Sequence, residues 1–283
     1  MNSNARITIG MPVYNGAETI EASITSILNQ KFKNFILVIS DDASEDETEE
    51  ICKRYAELDS RIQYIRQKKN IGLYANFNYV ISCCKTEYFS WLSQDDLRSS
   101  NFLDINIRFL DENPNYIAAT SPNKFIGHGC KKTIDFSLEG DVEKRTLKFL
   151  SNLLDCHAVL YSVFRADRLK ECPHLAENYL ALDWSICLYM ITCGPIKRTS
   201  NALIEIGAKG VSNSRNRWRK FRSRKIEYIL PFYRFSLVTI SSIMNMSCRA
   251  KWHALNHLIS LNFWGFKRQL IEAIVDYKNE RLL

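Results

Sequence analysis

The chain has 283 residues, 46% hydrophobic and 24% charged, an ordinary globular composition that excludes disordered and fibrous classes. At this length a chain forms one large domain or two modest ones and buries roughly three-quarters of its unfolded surface, so it needs no covalent staples. Its net charge of +7 is uneven: residues 214–283 hold 14 Lys and Arg against 4 Asp and Glu, whereas the rest hold 24 against 27.

The first 120 residues alternate strand and helix signals. Residues 6–12 read as a strand, with Ile7, Ile9 and Met11 alternating, followed by a turn at Asn15-Gly16 and a helix with Ile20, Ile24, Ile27 and Leu28 on one face. Residues 35–40 are a continuous apolar run, as a buried parallel strand should be, and the run stops at Asp41-Asp42. Ser44 with Glu47 gives a capping-box signature for a helix carrying Ile51, Tyr55 and Leu58. A strand over 61–66, a helix over about 73–84 and a strand over 87–92 follow. That strand ends in Ser93-Gln94-Asp95-Asp96, and a helix begins at Phe102. This alternation predicts an α/β fold with a doubly wound, mostly parallel sheet, whose ligands sit beyond the carboxyl ends of the strands.

Beyond Tyr116 the signals are mixed. Short strands are expected over 116–120 and 158–164, turns at Gly127 and Gly129, a helix over about 183–193, and a last strand over 196–206. Ser212 to Ser214 reads as a boundary, after which the chain is helical and basic, with seven Lys and Arg between Arg215 and Lys225. Nine scattered cysteines without a Cys-x-x-Cys pair, and a polar start leading straight into a strand, predict reduced thiols, no secretory leader and a cytoplasmic protein. The longest apolar stretch, 226–246, is broken by Glu227, Pro231 and Arg234, so no membrane span is expected.

Asp41-Asp42 and Asp95-Asp96 fall at neighbouring strand ends. Four carboxylates brought together repel one another unless protons or a cation compensate. Hard divalent cations favour one or two carboxylates plus phosphate oxygens, so the economical reading is a nucleotide site with a metal between protein and diphosphate. The plainer reading of either pair alone is a helix cap in a solvated turn.

These motifs resemble those of the family 2 glycosyltransferases of the GT-A fold, of the bacterial surface-glycan type. The match runs from Met11-Pro12-Val13-Tyr14-Asn15 through Ser40-Asp41-Asp42-Ala43-Ser44 and Asn70-x-Gly72 with Ala75-Asn76 to Ser93-Gln94-Asp95-Asp96. The resemblance implies that Pro12, Tyr14, Asn15, Asn70 and Gly72 surround the nucleotide, that Asp42 bonds its base (typically uracil), and that Asp41 supports that loop. It implies Asp96 as the ligand of Mn²⁺ or Mg²⁺, and Asp95 near the ribose or sugar, with Ser93 standing where the family's first acid usually is. It implies inversion at the anomeric carbon by a carboxylate base at the start of a later helix. Asp183 is the candidate, Leu182 replacing the usual Glu before it, with Glu177 the nearest substitute and a simple helix cap the structural alternative.

On this reading residues 1–120 form the nucleotide-sugar-binding half, 121–213 the acceptor-binding half of the same catalytic domain, and 214–283 a basic helical C-terminal extension. The expected function is transfer from a UDP-linked or other nucleotide-sugar to a glycan or lipid-linked acceptor in surface polysaccharide or lipopolysaccharide assembly. The basic extension suits an anionic partner: peripheral attachment to the inner face of the cell membrane, against packing on the body or on a second copy as a homodimer. No motif accompanies it that would read nucleic acid. His157, Trp91 and Trp184 are read as structural before functional, and Lys209 as a diphosphate contact. Two competitors are a sugar-nucleotidyltransferase, whose Gly-rich basic loop is missing at 12–16, and a non-catalytic nucleotide-sugar-binding module attached by its tail.

Overall fold

The computed structural model describes residues 5–126, 133–207 and 217–280. In chain order its elements are β1 (Ile7–Val13), α1 (Ile20–Leu28), β2 (Phe35–Asp41), α2 (Thr48–Leu58), β3 (Ile62–Arg66), α3 (Leu73–Ser82), β4 (Tyr88–Trp91), β5 (Leu97–Arg98), α4 (Phe102–Glu112) and β6 (Ala118–Thr120). There follow β7 (Asn123–Phe125), α5 (Val142–Ser151), β8 (Val163–Arg165), α6 (Ala166–Lys170), α7 (Leu182–Cys193), β9 (Ile196–Arg198), β10 (Ile204–Ile206), α8 (Arg217–Lys220), α9 (Tyr233–Ser242) and α10 (Cys248–Glu280).

The main sheet has the order β3-β2-β1-β4-β8-β6-β9, with β8 alone antiparallel to its neighbours, and β5-β10-β7 form a small second sheet. The expected α/β fold with a mostly parallel sheet and a helical C-terminal part is what is found. Alternation along β1 sends Ile7, Ile9, Met11 and Val13 into a core shared with Ile24 and Ile27 of α1 and Ile107 and Leu110 of α4. The opposite layer joins Val38, Phe89 and Trp91 to Val80 of α3, Phe149 of α5 and Leu188 of α7. Helices therefore cover both faces, as a buried parallel sheet requires. Because β1 pairs with β2 as far as Val13↔Asp41, and with β4 as far as Gly10↔Trp91, three loops leave the sheet side by side.

Local details differ from the sequence expectation. Helix α2 starts at Thr48, and its N-cap residue Glu47 makes no side-chain cap. Ser44 is used elsewhere: its hydroxyl accepts the Asn15 N–H at 2.9 Å. Of the expected stripe, Ile51 and Tyr55 pack against the core beside the buried Thr48 and Cys52, whereas Leu58 is 76% exposed. Of the strand expected over 158–164, only Val163 and Phe164 are extended, because His157–Val159 form a 3-10 turn. The strand expected over 196–206 is two strands in two sheets, separated by a corner where Asn201 takes φ 66°. The turns at Gly127 and Gly129 and the boundary at 212–214 lie outside the described residues.

The C-terminal helices pack on the body, α9 against α7 and α10 against α5 and α9. Among the described residues no helix is long and apolar enough to cross a membrane. The eight described cysteines form no disulfide.

Candidate active site

The loops after β1, β2 and β4 open onto a cavity of about 600 Å³, within the range of small-molecule sites. Pro12, Tyr14, Asp42, Asn70, Gly72, Asp95, Asp96 and Asp183 all line it, so eight of the ten expected site residues meet in one place. Asn15 and Asp41 stand behind the wall and hold it.

Asp41 is fully buried; its Oδ1 accepts the Ser44 N–H at 2.8 Å, and its Oδ2 accepts the Tyr64 hydroxyl at 2.7 Å and Arg66 Nη1 at 2.9 Å. Asn15, at φ 49°, accepts the Glu45 N–H on Oδ1 at 2.8 Å and so ties the first loop to the second. Asp42 accepts the amides of Ile71 and Gly72, one on each oxygen, at 2.6 and 3.0 Å. Gly72 takes φ 92°, a conformation that favours glycine, and it turns the chain into α3 so that its amide can face Asp42. Two further residues belong to this frame. Asn76 of α3 donates Nδ2 to the Ser40 carbonyl at 2.8 Å and accepts the Ser40 hydroxyl at 2.6 Å. Gln94 accepts the Tyr14 N–H at 2.9 Å and donates to the Tyr14 carbonyl at 3.3 Å.

The second acid pair is divided in its surroundings. Asp95 is half-buried, and Ser93, where the family usually has an acid, donates its hydroxyl to Asp95 Oδ1 at 2.6 Å. Asp96 is buried; its Oδ1 accepts the Gly207 N–H at 2.9 Å and its Oδ2 lies 4.0 Å from Nη1 of the buried Arg98. Burial pulls the Arg98 pKa below its ordinary value, against Asp96, which holds it up. A methyl built on Gly207 would collide with the carbonyl and carboxylate of Asp95, so only glycine lets β10 come this close.

Asp183 is the second residue of α7, where the amide-rich end of a helix favours a negative charge. Tyr161, which sequence reasoning left inside a predicted strand, lines the same cavity. Its hydroxyl is pushed well above its ordinary range, first by burial and then by Asp96, Asp95 and Asp183 together. The Tyr74 hydroxyl is likewise raised by burial and then by Asp183. Glu177 does not line the cavity; it lies 3.2 Å from His174 Nδ1 and 3.6 Å from Arg234 Nη2.

Trp91 is core: its Nε1 donates to the Phe77 carbonyl at 3.1 Å. Trp184 stacks on Phe232 with ring centres 5.5 Å apart, and Trp218, Lys220, Phe221 and Trp264 continue the wall from the C-terminal helices. That contribution is not legible in the sequence, because packing between remote segments leaves no local pattern. Lys209 and the side chain of His157 lie outside the described residues.

The donor set suits a hard divalent ion. Asp95 and Asp96 offer adjacent carboxylates on the cavity wall, and among the described residues no cluster of three or more His, Cys, Asp or Glu is assembled. Phosphate oxygens would have to complete the shell, the arrangement Mg²⁺ and Mn²⁺ accept.

The comparisons with known proteins agree with this architecture. EpsE of Bacillus subtilis (strain 168), a glycosyltransferase by name, is 37% identical over 141 residues, which are 50% of this chain and 48% of EpsE. The chain thus spans about half the length of that relative. S. aureus TarS 1-349, solved with UDP-GlcNAc, superposes with a TM-score of 0.67 at 17% identity, over 89% of this chain and 70% of TarS. The mannosyltransferase PcManGT of Pyrobaculum calidifontis, solved with GDP-Man and Mn²⁺, gives 0.57 at 13% identity, over 98% and 76% of the two chains. Those identities carry the fold. The sequence profile of "Glycosyl transferase family 2" matches residues 8–162, more than half of the chain and every strand-end motif described above, and the chain belongs to that family.

Proposed function

We propose that the chain is an inverting, metal-dependent glycosyltransferase that moves a sugar from a nucleotide-sugar, most simply a UDP-sugar, to a glycan or lipid-linked glycan. The observation that carries this reading is that Asp42, Asp95, Asp96 and Asp183 line one cavity at the ends of parallel strands. Asp42 keeps acceptor capacity on both oxygens beyond its two loop amides, and so takes the N–H of the base. Pro12, Tyr14, Asn70 and Gly72 enclose the nucleoside, and Asp95 faces the ribose or the sugar. The acceptor hydroxyl attacks the anomeric carbon as the bond to the diphosphate oxygen breaks, and Asp183 takes the hydroxyl proton. Asp96 would hold a Mn²⁺ or Mg²⁺, which would supply positive charge for the leaving diphosphate.

The nucleotides bound by TarS and PcManGT support a nucleoside-diphosphate donor. Residues 1–120 act as the donor half and 121–213 as the acceptor half. The basic residues 214–283 support a place on the inner face of the cell membrane, in surface polysaccharide or lipopolysaccharide assembly.

A thermal-shift series with UDP-GlcNAc, UDP-glucose and GDP-mannose, with and without Mn²⁺, tests the donor. A ligand at about a hundredfold excess over its Kd stabilises by about 2.7 kcal/mol, a Tm rise of several degrees. The stabilising donor should also release its nucleoside diphosphate on incubation. Binding without release under any acceptor would favour the non-catalytic module, and no shift with any nucleotide-sugar would sink the donor site altogether.

A further inference from the structure

Helix α10 has two apolar faces. One is buried in the fold through Ala250, Ala254, Leu258 and Gly265. The other, Trp252, Leu255, Ile259, Phe263, Phe266 and Leu270, recurs every three or four residues and stays exposed, with Trp252 at 64%, Ile259 at 68% and Phe263 at 59%. Such spacing makes one continuous stripe along the helix, where a surface helix ordinarily carries polar residues. A contiguous apolar patch of this kind marks a docking surface.

The charges beside the stripe say what docks. Arg249 and Lys267, on the flank of the stripe, and Arg224 and Lys225 before α9 are exposed, and among the described residues none of them pairs with a carboxylate. Glu272 is the one acid among the described side chains of α10. Glu227 is buried and spent on the amides of Ser223 and Arg224, at 2.6 and 3.0 Å. The Lys267 ammonium lies 4.6 Å from the centre of the exposed Phe263 ring, so cation and aromatic are presented together.

We propose that the outward stripe of α10 is a docking face for an anionic lipid bilayer, its apolar residues entering the headgroup boundary and its flanking Lys and Arg meeting lipid phosphates. An interfacial helix with a basic border has this composition. The inference rests on the transferase reading in one respect. Trp264 of the same helix lines the cavity, so docking through the stripe brings the site within about one helix diameter of the bilayer, where a lipid-linked acceptor would be met.

The test is co-sedimentation of the full chain with vesicles of phosphatidylcholine and phosphatidylglycerol, against phosphatidylcholine alone, over a salt series. The wild type should pellet with the anionic vesicles and lose binding as salt rises. The double variant Ile259→Glu, Phe263→Glu should bind at least about tenfold more weakly. The pair Arg249→Glu, Lys267→Glu should lose about fivefold per residue and flatten the salt dependence. Both should keep the wild-type melting temperature and its shift with nucleotide-sugar. A wild type that stays in the supernatant with either vesicle overturns the proposal, as does a double variant that pellets undiminished. A soluble dimer that the double variant dissociates gives the face to a second copy and overturns it too. A lost donor shift in the wild type, with vesicle binding intact, would count against the transferase reading alone.

Discussion

Around one cavity, the walls contributed by residues 7–96 and the wall contributed by the C-terminal helices are held by different forces. On the first, carboxylates and amides of Asp41, Asp42, Asn76 and Gln94 are each fixed by two or more directed hydrogen bonds. On the second, Trp184, Phe232, Trp218 and Trp264 meet ring to ring, at centre distances of 5.5 to 6.3 Å. Directed bonds specify position narrowly, whereas apolar contact rewards area with little regard to angle. The polar wall therefore fixes its groups narrowly, and the aromatic wall tolerates more variation in shape.

Substitutions can break that contrast at either end. Asp183→Asn should lower kcat by about 10²–10⁴ while leaving the donor-induced Tm shift intact, and unchanged turnover would remove Asp183 as the base. Asp41→Ala leaves Tyr64 and Arg66 without their shared buried acceptor, an expected loss of about 3 kcal/mol in urea unfolding. A loss below the error of the measurement would mean the loop is held by something else. Gly207→Ala must push Asp95 aside, and a displacement of this order costs about 10² in kcat; wild-type turnover would show the strand can move without harm.

Trp264→Ala should cost about 2 kcal/mol and depress transfer to an acceptor more than hydrolysis of the donor. Equal effects on both reactions would erase the distinction between the walls. The smallest effect concerns pH and lies outside both walls. The Asp59 carboxylate is held below its ordinary 3.8, chiefly by the Arg61 side chain, whose Nη2 is 2.6 Å away. A depressed folded pKa gives stability that is present above the unfolded value and lost as pH falls through the folded one. Asp59→Asn should thus remove less than about 1 kcal/mol near neutral pH and flatten the acid limb of the stability curve below about pH 4. An unaltered acid limb would show that this pair contributes nothing.

The sequence made the polar wall readable because its residues lie at strand ends, where the apolar run stops and the acids begin. Asp41-Asp42 and Asp95-Asp96 could be placed from that alone. The roles within the pairs could not, since Asp41 is withdrawn behind the wall while Asp42, Asp95 and Asp96 line the cavity, and their bonds depend on residues as remote as Tyr64 and Gly207. Tyr161 was hidden because a short apolar run cannot tell a strand from a 3-10 turn. The aromatic wall was hidden for a different reason. Trp218 and Trp264 look like any core residues of a helix until the helix is docked.

The bond from Gly207 to Asp96 joins residues 111 apart in the chain. Strands β1 to β4 are contiguous in sequence and leave the ribosome first, at about 5–20 residues per second, long before β10 exists. A nascent chain can thus possess its first three strand-end loops for several seconds while Asp96 still lacks the Gly207 amide. On the transferase reading, catalysis would be acquired later in synthesis than nucleotide binding. Translation stalled ahead of residue 204 should yield ribosome-bound chains that retain a nucleotide but do not cleave it.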